Sequence, residues 1–260
     1  MKSLKLFFSI YKPLGLTPLD LVKGFKERFP EYSSQTVSYA GRLDPMATGV
    51  VLLLIGEENK KREKYLHLDK EYMIQVLFGI ETDTYDILGK VIGSSDKHIP
   101  LEKLAECLNG FKGEVMQNFP PYSSKRVNGR PLFYWARENK LNGITIPSAK
   151  RHIFDISLRK HEYISKSALR KKIFDKLLSV KGNFRQDEIR ETWSVFFSKS
   201  NNSKYLVADI YVRCSSGTYM RTLAYDIGRK LTSGAMVLNI ERTSVGEFEL
   251  EHCIRLNDHR

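Results

Sequence analysis

The chain has 260 residues, 42% hydrophobic and 28% charged, which supplies a sizeable core and excludes a disordered or collagen-like protein. Its 42 Lys and Arg against 30 Asp and Glu give a formal net charge of +12. That excess favours a polyanionic partner through counterion release, and a solubilising surface would explain it equally well.

The start, MKSLKLFF, lacks the small-residue cleavage site of a secretory leader, and the longest apolar run, Val50 to Ile55, is too short to span a bilayer. No membrane segment is expected, and a cytoplasmic location is. Leu6 to Tyr11 reads as a strand, and Asp20 is placed to cap a helix carrying Leu21, Val22 and Phe25 on one face. A short extended piece at Val37 to Tyr39 precedes the turn Gly41-Arg42-Leu43-Asp44-Pro45, and Val50 to Ile55 predicts a strand buried on both faces. Tyr72, Ile74, Val76 and Phe78 alternate with their neighbours as a strand, followed by a polar loop from Thr82 to Asp86. Leu101, Leu104, Ala105 and Leu108 recur at helical spacing after Pro100; Phe119-Pro120-Pro121 then breaks the chain before a further helix over 132–138.

Between 157 and 203 the chain becomes rich in Lys and Arg, with a helical stripe at Leu169, Ile173 and Leu177. This stretch is expected to be a basic insertion of one or two small elements, facing RNA or simply solvent. Leu206 to Cys214 alternates as a strand, and Thr218 is placed to cap a helix from Tyr219 to Lys230. Cys107, Cys214 and Cys253 are odd in number and far apart, and the six His form no ligand pair, so no disulfide framework or metal site is expected. Strands mixed with helices, without regular βαβ alternation, indicate an α+β fold around a mixed, largely antiparallel sheet.

Three residues stand out chemically. Asp44 lies between a Gly-Arg turn and Pro45, which biases it toward an extended backbone; a turn-capping Asp is the simpler account. Arg221 sits at a helix start, where the macrodipole disfavours a cation unless an anion is near; an exposed Arg would also explain it. Tyr72 heads an amphipathic strand, where core packing is the ordinary role.

The string Tyr39-Ala40-Gly41-Arg42-Leu43-Asp44-Pro45-Met46-Ala47-Thr48-Gly49-Val50-Val51 resembles the signature G-H-x-G-x-L-D-P-x-A-T-G-x-L of TruB-type pseudouridine synthases. Further blocks agree in order. Lys12-Pro13-Leu14-Gly15 resembles K-P-x-G, and Asp69-Lys70-Glu71-Tyr72 resembles the K-x-Y strand. Residues 79–89 resemble G-x-x-T-D-T-x-D-x-x-G, residues 120–129 resemble P-P-x-Y-S-A-x-K-V-x-G with a spacing change of one, and residues 214–222 resemble C-S-x-G-T-Y-I-R-T. Ile240 to Phe248 resembles L-R-R-T-x-x-G-x-F.

The resemblance implies a single pseudouridine synthase domain over 1–260, with 157–203 as an insertion. It implies Asp44 as the catalytic carboxylate, Arg221 as its ion-pair partner and Tyr72 stacked on the target base. Lys12, Tyr39, Gly41, Tyr122, Arg126 and Tyr219 are the implied RNA contacts, while Asp83 and Asp86 are taken as turn residues. The implied substrate is the T-loop uridine of tRNA, position 55 by family convention, handled by a monomer without cofactor, metal or protein partner. A synthase for another RNA, or a tRNA-binding module with dispensable catalysis, are the alternatives.

Two departures accompany the likeness. Tyr39 replaces the family His, and Arg42-Leu43-Asp44 also resembles the R-L-D string of RluA-type synthases. Relatives continue into a PUA-like RNA-binding module, which a chain ending at Arg260 is expected to lack.

Overall fold

The computed structural model describes residues 5–256 apart from Lys181 and Asn183. Its elements begin with β1 (Phe7–Lys12), α1 (Pro18–Arg28), β2 (Val37–Ala40), β3 (Ala47–Ile55), α2 (Arg62–Leu66) and β4 (Lys70–Phe78). Next come β5 (Ile80–Thr82), β6 (Val91–Ser94), α3 (Leu101–Asn109), β7 (Gly113–Asn118), β8 (Arg126–Val127), β9 (Arg130–Pro131) and α4 (Leu132–Arg137). The remainder holds β10 (Ser148–Ser165), α5 (Lys166–Ser179), α6 (Gln186–Lys199), β11 (Lys204–Cys214), α7 (Met220–Lys230), β12 (Ala235–Val245) and β13 (Phe248–Glu249). Two compact units emerge: Met1–Met73 with Leu178–Gly182 and Ile240–Arg260, and Ile74–Leu177 with Asn183–Asn239. Strands β4 and β12 give residues to both.

In the first unit the strand order is β1-β3-β12. β3 is antiparallel to β1, with Phe7 opposite Leu54 and Lys12 opposite Gly49, and antiparallel to β2, with Ala40 opposite Leu52. Its first three residues run parallel to β12, Gly49 lying opposite Arg242. Every residue from Val50 to Ile55 is buried, as six consecutive apolar side chains require. On one side Val50, Leu52 and Leu54 join Ala40 and Val245 under Phe7, Tyr65 and Phe248. Phe8, Phe25, Phe29 and Tyr32 form a further ring cluster, with Phe8 and Phe25 centroids 5.0 Å apart. Gly49 has φ +111°, and a Cβ there would fall 2.2 Å from the Arg242 carbonyl oxygen, so the parallel approach of β12 needs glycine at this position.

The start of α1 differs from expectation. Thr17 is the cap, and Asp20 is the third helical residue of a capping box, accepting from the Thr17 amide at 2.8 Å.

In the second unit the order is β12-β4-β11-β10-β7, with β10 antiparallel to both β11 and β7. The mixed, largely antiparallel sheet is the one expected. The stretch 157–203 is built differently from a plain insertion: Ser157 to Ser165 finish the 18-residue β10 and pair with Lys204 to Tyr211 of β11, with a register shift between Leu158 and Lys160. The charged run Arg159 to Glu162 hid this strand, because its side chains stay exposed and show no alternation. The helices that follow are amphipathic. α5 buries Leu169, Ile173 and Leu177, and α6 buries Ile189, Trp193 and Phe197, with Trp193 and Phe197 stacked at 5.6 Å. α3 buries Leu104, Cys107 and Leu108, leaving Ala105 exposed against the stripe expected. α7 begins at Met220 with Tyr219 at its cap position. Thr218 does not cap it; the Thr218 hydroxyl donates to the Ser215 carbonyl at 2.8 Å.

Candidate functional site

The Asp44 loop joins β2 to β3 in the first unit. Leu43 and Met46 are buried, which anchors the loop on both sides of the half-buried Asp44. Two buried cations hold its backbone. Lys12, fully buried at the end of β1, donates its ammonium to the carbonyls of Ala47 at 2.6 Å, Pro13 at 3.0 Å and Pro45 at 3.3 Å. Arg242, 2% exposed on β12, donates Nε to the Val50 carbonyl at 2.7 Å and its terminal nitrogens to the carbonyls of Arg42 and Gly41 at 3.3 and 3.4 Å.

Buried charges persist only when their donors are satisfied, and here backbone carbonyls satisfy them. Burial pushes the Lys12 ammonium down to about 8, with Arg242 adding to the fall and the charge of Asp44 opposing it. Lys12 is thus a correction to the sequence reading. Its side chain is enclosed and braces the Asp44 loop from within, where a grip on RNA would need a head in solvent. Arg242 was missed as a functional residue; its only sequence signal was its place in the L-R-R-T-like block.

Gly41 has φ +82° and passes its carbonyl to Arg242, so its role is in the loop's shape. Tyr39 is half-buried on β2, with its carbonyl accepting from Arg62 Nε at 3.1 Å. Tyr72 is 8% exposed on β4, on the same side as Lys70, whose ammonium caps the Leu66 and Leu68 carbonyls at 2.6 and 2.5 Å.

The second unit holds Arg221, 4% exposed in the first turn of α7. Its terminal nitrogens donate to the Thr84 carbonyl at 3.1 Å and the Tyr122 carbonyl at 3.3 Å, and Nε lies 3.7 Å from Asp86 Oδ2. The structure therefore brings Arg221 and Tyr122 together, and supplies the anion that a cation at a helix start calls for. Asp86 is a turn residue as expected, with Oδ1 accepting from Thr84 Oγ1 at 2.6 Å and from the Leu88 amide at 2.9 Å. Its other oxygen, facing Arg221, gives it a second part that the turn reading left out.

Tyr122 donates its hydroxyl to Asp83 Oδ2 at 3.2 Å; burial, together with the Asp83 charge, pushes that phenol up to about 12. Tyr219 is held by Gln117, which accepts from the Tyr219 amide at 2.7 Å and returns a bond to its carbonyl at 3.0 Å. Gln117 thus takes the capping part that Thr218 was expected to play. Arg126 is exposed in the β8–β9 hairpin and donates to the Gly129 carbonyl at 3.0 Å. Among the described residues no three or more His, Cys, Asp or Glu side chains group as a metal site.

Residues 30–173 match the family model described as TruB family pseudouridylate synthase (N terminal domain). A protein named tRNA pseudouridine synthase B from Clostridium tetani is 32% identical over 96% of this chain and 71% of its own length. A protein of the same name from Aquifex aeolicus is 29% identical, with the same shares covered. Among solved structures, a chain of a Cbf5-Nop10-Gar1 complex superposes with a TM-score of 0.59 at 18% identity, covering 97% of this chain and 53% of that one. This chain spans about half the length of such structures, and the likeness to them concerns the fold. The matched model takes in more than half of the sequence, including the Asp44 loop and the Asp83 to Asp86 turn, and the chain belongs to the TruB family of pseudouridylate synthases.

Proposed function

We propose that this protein converts the T-loop uridine of tRNA, position 55 by the convention of its relatives, to pseudouridine, with Asp44 as the catalytic carboxylate. Family membership and the shared name of its relatives, tRNA pseudouridine synthase B, support a uridine isomerase acting on tRNA. The observation that carries the assignment of Asp44 is the loop geometry: two buried cations and two buried apolar side chains fix the backbone around one half-buried carboxylate.

The reaction breaks the N1–C1′ bond, turns the uracil and forms a C5–C1′ bond. A proton leaves C5 and N1 ends protonated, so atoms and electrons balance without a cofactor. A carboxylate serves the first step either as a nucleophile or as a base at the sugar. An opposite charge favours the ionised form of a catalytic carboxylate, and the family resemblance assigns that part to Arg221. The target base must leave its stack to be reached, and Tyr72 stacks on it once flipped. Tyr39, Tyr219 and Arg126 contact the unpaired loop, aromatic faces holding bases and the cation holding phosphate, while Tyr122, its hydroxyl bound to Asp83, supports Arg221 through its carbonyl.

The reading extends to a cytoplasmic monomer without an obligatory protein partner, which sedimentation of the purified protein tests. Among the described residues no helix is long and apolar enough to cross a membrane. The functional experiment is to incubate the protein with an unmodified tRNA transcript and map pseudouridine at single-nucleotide resolution. Conversion confined to the T-loop uridine is expected. Conversion elsewhere, or in another RNA only, would replace the substrate. Tight tRNA binding with no conversion would favour a folding module.

A further inference from the structure

Arg185 stands at the cap position of α6, inside the stretch 157–203 that none of the family blocks covers. Its backbone is left-handed, at φ +63°, a conformation that a long side chain adopts at a cost unless something holds it. Its guanidinium is what is held. NH1 donates to Asp83 Oδ2 at 2.9 Å and NH2 to Oδ1 at 3.4 Å, while the planar group lies over the Tyr122 ring, 4.3 Å from its centroid.

Asp83 also accepts from the Tyr122 hydroxyl at 3.2 Å and from the Lys90 amide at 2.8 Å. One carboxylate therefore ties together Arg185, Tyr122 and the loop that closes at Lys90. That loop and Tyr122 supply the Thr84 and Tyr122 carbonyls on which Arg221 rests. A second tie runs alongside, since Glu188 in the first turn of α6 pairs with Lys90.

We propose that Arg185 is a positioning residue for the isomerisation. The start of α6 reaches through it to fix Asp83 and Tyr122, and through them the guanidinium of Arg221. This rests on Arg221 being an active-site group. The Arg185 side chain is only 16% exposed, and its donors are engaged with Asp83. A residue whose task was to grip RNA would present that group to solvent. A forked, planar cation suits this place, because it stacks on the ring and spans the carboxylate at once, which an ammonium cannot do.

The test compares Arg185→Gln, Arg185→Lys and Arg185→Gly with wild type in pseudouridine formation on an unmodified tRNA transcript. Glycine removes the guanidinium while accommodating the left-handed backbone, so its loss is not confounded by backbone strain and is the informative one. A small displacement of an active-site group slows chemistry more than binding, so kcat should fall about tenfold or more in all three, with KM within about twofold. Lysine should recover little. Asp83→Asn combined with Arg185→Gln should lose no more than the worse single variant, as residues in one network do. A raised KM with unchanged kcat, or losses that multiply, would overturn the proposal.

Hydrogen exchange gives a readout independent of turnover. Residues 83–90 and 120–126 should exchange faster in Arg185→Gly than in wild type, and unchanged exchange would also overturn the proposal. Should wild type convert no uridine, the functional reading falls, and the exchange comparison alone decides whether the clamp exists.

Discussion

The Asp44 loop and the Asp83 to Asp86 loop are both short, polar and aspartate-bearing, yet they are stabilised in opposite ways. Around Asp44 the buried cations Lys12 and Arg242 are committed to five backbone carbonyls besides that of Pro13, those of Gly41, Arg42, Pro45, Ala47 and Val50. In the other loop the carboxylates themselves do the bracing, Asp83 toward Arg185, Tyr122 and the Lys90 amide, and Asp86 toward Thr84, Leu88 and Arg221. Where carbonyls anchor the cations, those supports do not pass through the loop's acid. Where acids are the braces, neutralising one alters the loop. A carboxylate meant to react belongs in the first kind of loop, since its ionisation can change during catalysis without moving its own support.

Removing Arg242 should break this contrast most severely. Arg242→Leu takes the donor from the buried Val50 carbonyl and from the partly exposed carbonyls of Arg42 and Gly41, and the buried acceptor so orphaned costs about 1–3 kcal/mol. Denaturant unfolding should show a loss of about that size. A loss below about 1 kcal/mol would mean that the loop holds without this cation.

Asp86→Asn should act on activity more than on stability. The amide can still accept from Thr84 and Leu88, while Arg221 loses a neighbouring negative charge. Turnover should drop by about 10²-fold with little change in the unfolding midpoint. Equal turnover would show that the two carbonyls suffice to place Arg221.

The Lys12 comparison concerns pH. Its folded-state value of about 8 lies below the ordinary 10.5, so between these the unfolded chain binds more protons than the folded one. Stability from this group therefore rises as pH goes from 8 to 10.5 and is flat below that window. Lys176, which burial also pushes down to about 8, acts in the same direction. Lys12→Met should remove part of the rise, measured as the difference in unfolding free energy from wild type across the window. A difference constant with pH would contradict the burial of the ammonium.

The smallest effect is expected at Arg126, exposed on its hairpin. Arg126→Ala should weaken tRNA binding a few-fold and lower the slope of log affinity against log salt by about one, leaving turnover at saturation unchanged. An unchanged slope would remove it from the RNA contacts.

These loops also mark what the sequence could reveal. Six apolar residues in a row made β3 legible, and Leu169, Ile173 and Leu177 made α5 so, because burial there follows from local pattern alone. The Asp44 signature was legible as a resemblance, but its supports were not. A lysine before Pro13 reads as a surface residue, and only the convergence of β1 on the loop encloses it. Arg242 lies about two hundred residues from the carbonyls it holds. Gln117 caps Tyr219 from 102 residues away, while Thr218, the local candidate, turns back to Ser215. The second half of β10 carries charges on both faces, so no period of two announced it. Arg185 gave no signal of its own, since its left-handed backbone and its partners Asp83 and Tyr122 arise only in the fold.

The most direct test of the account is single-turnover conversion of a tRNA T-loop uridine by wild type and by Asp44→Asn, at protein concentrations that saturate the RNA. The variant should fold and bind as wild type does, because Lys12 and Arg242 still hold the carbonyls of its loop, and conversion should fall by about 10²–10⁴-fold. An Asp44→Asn protein that converts the uridine at the wild-type rate would show that the carboxylate at the centre of this loop is not the catalytic group.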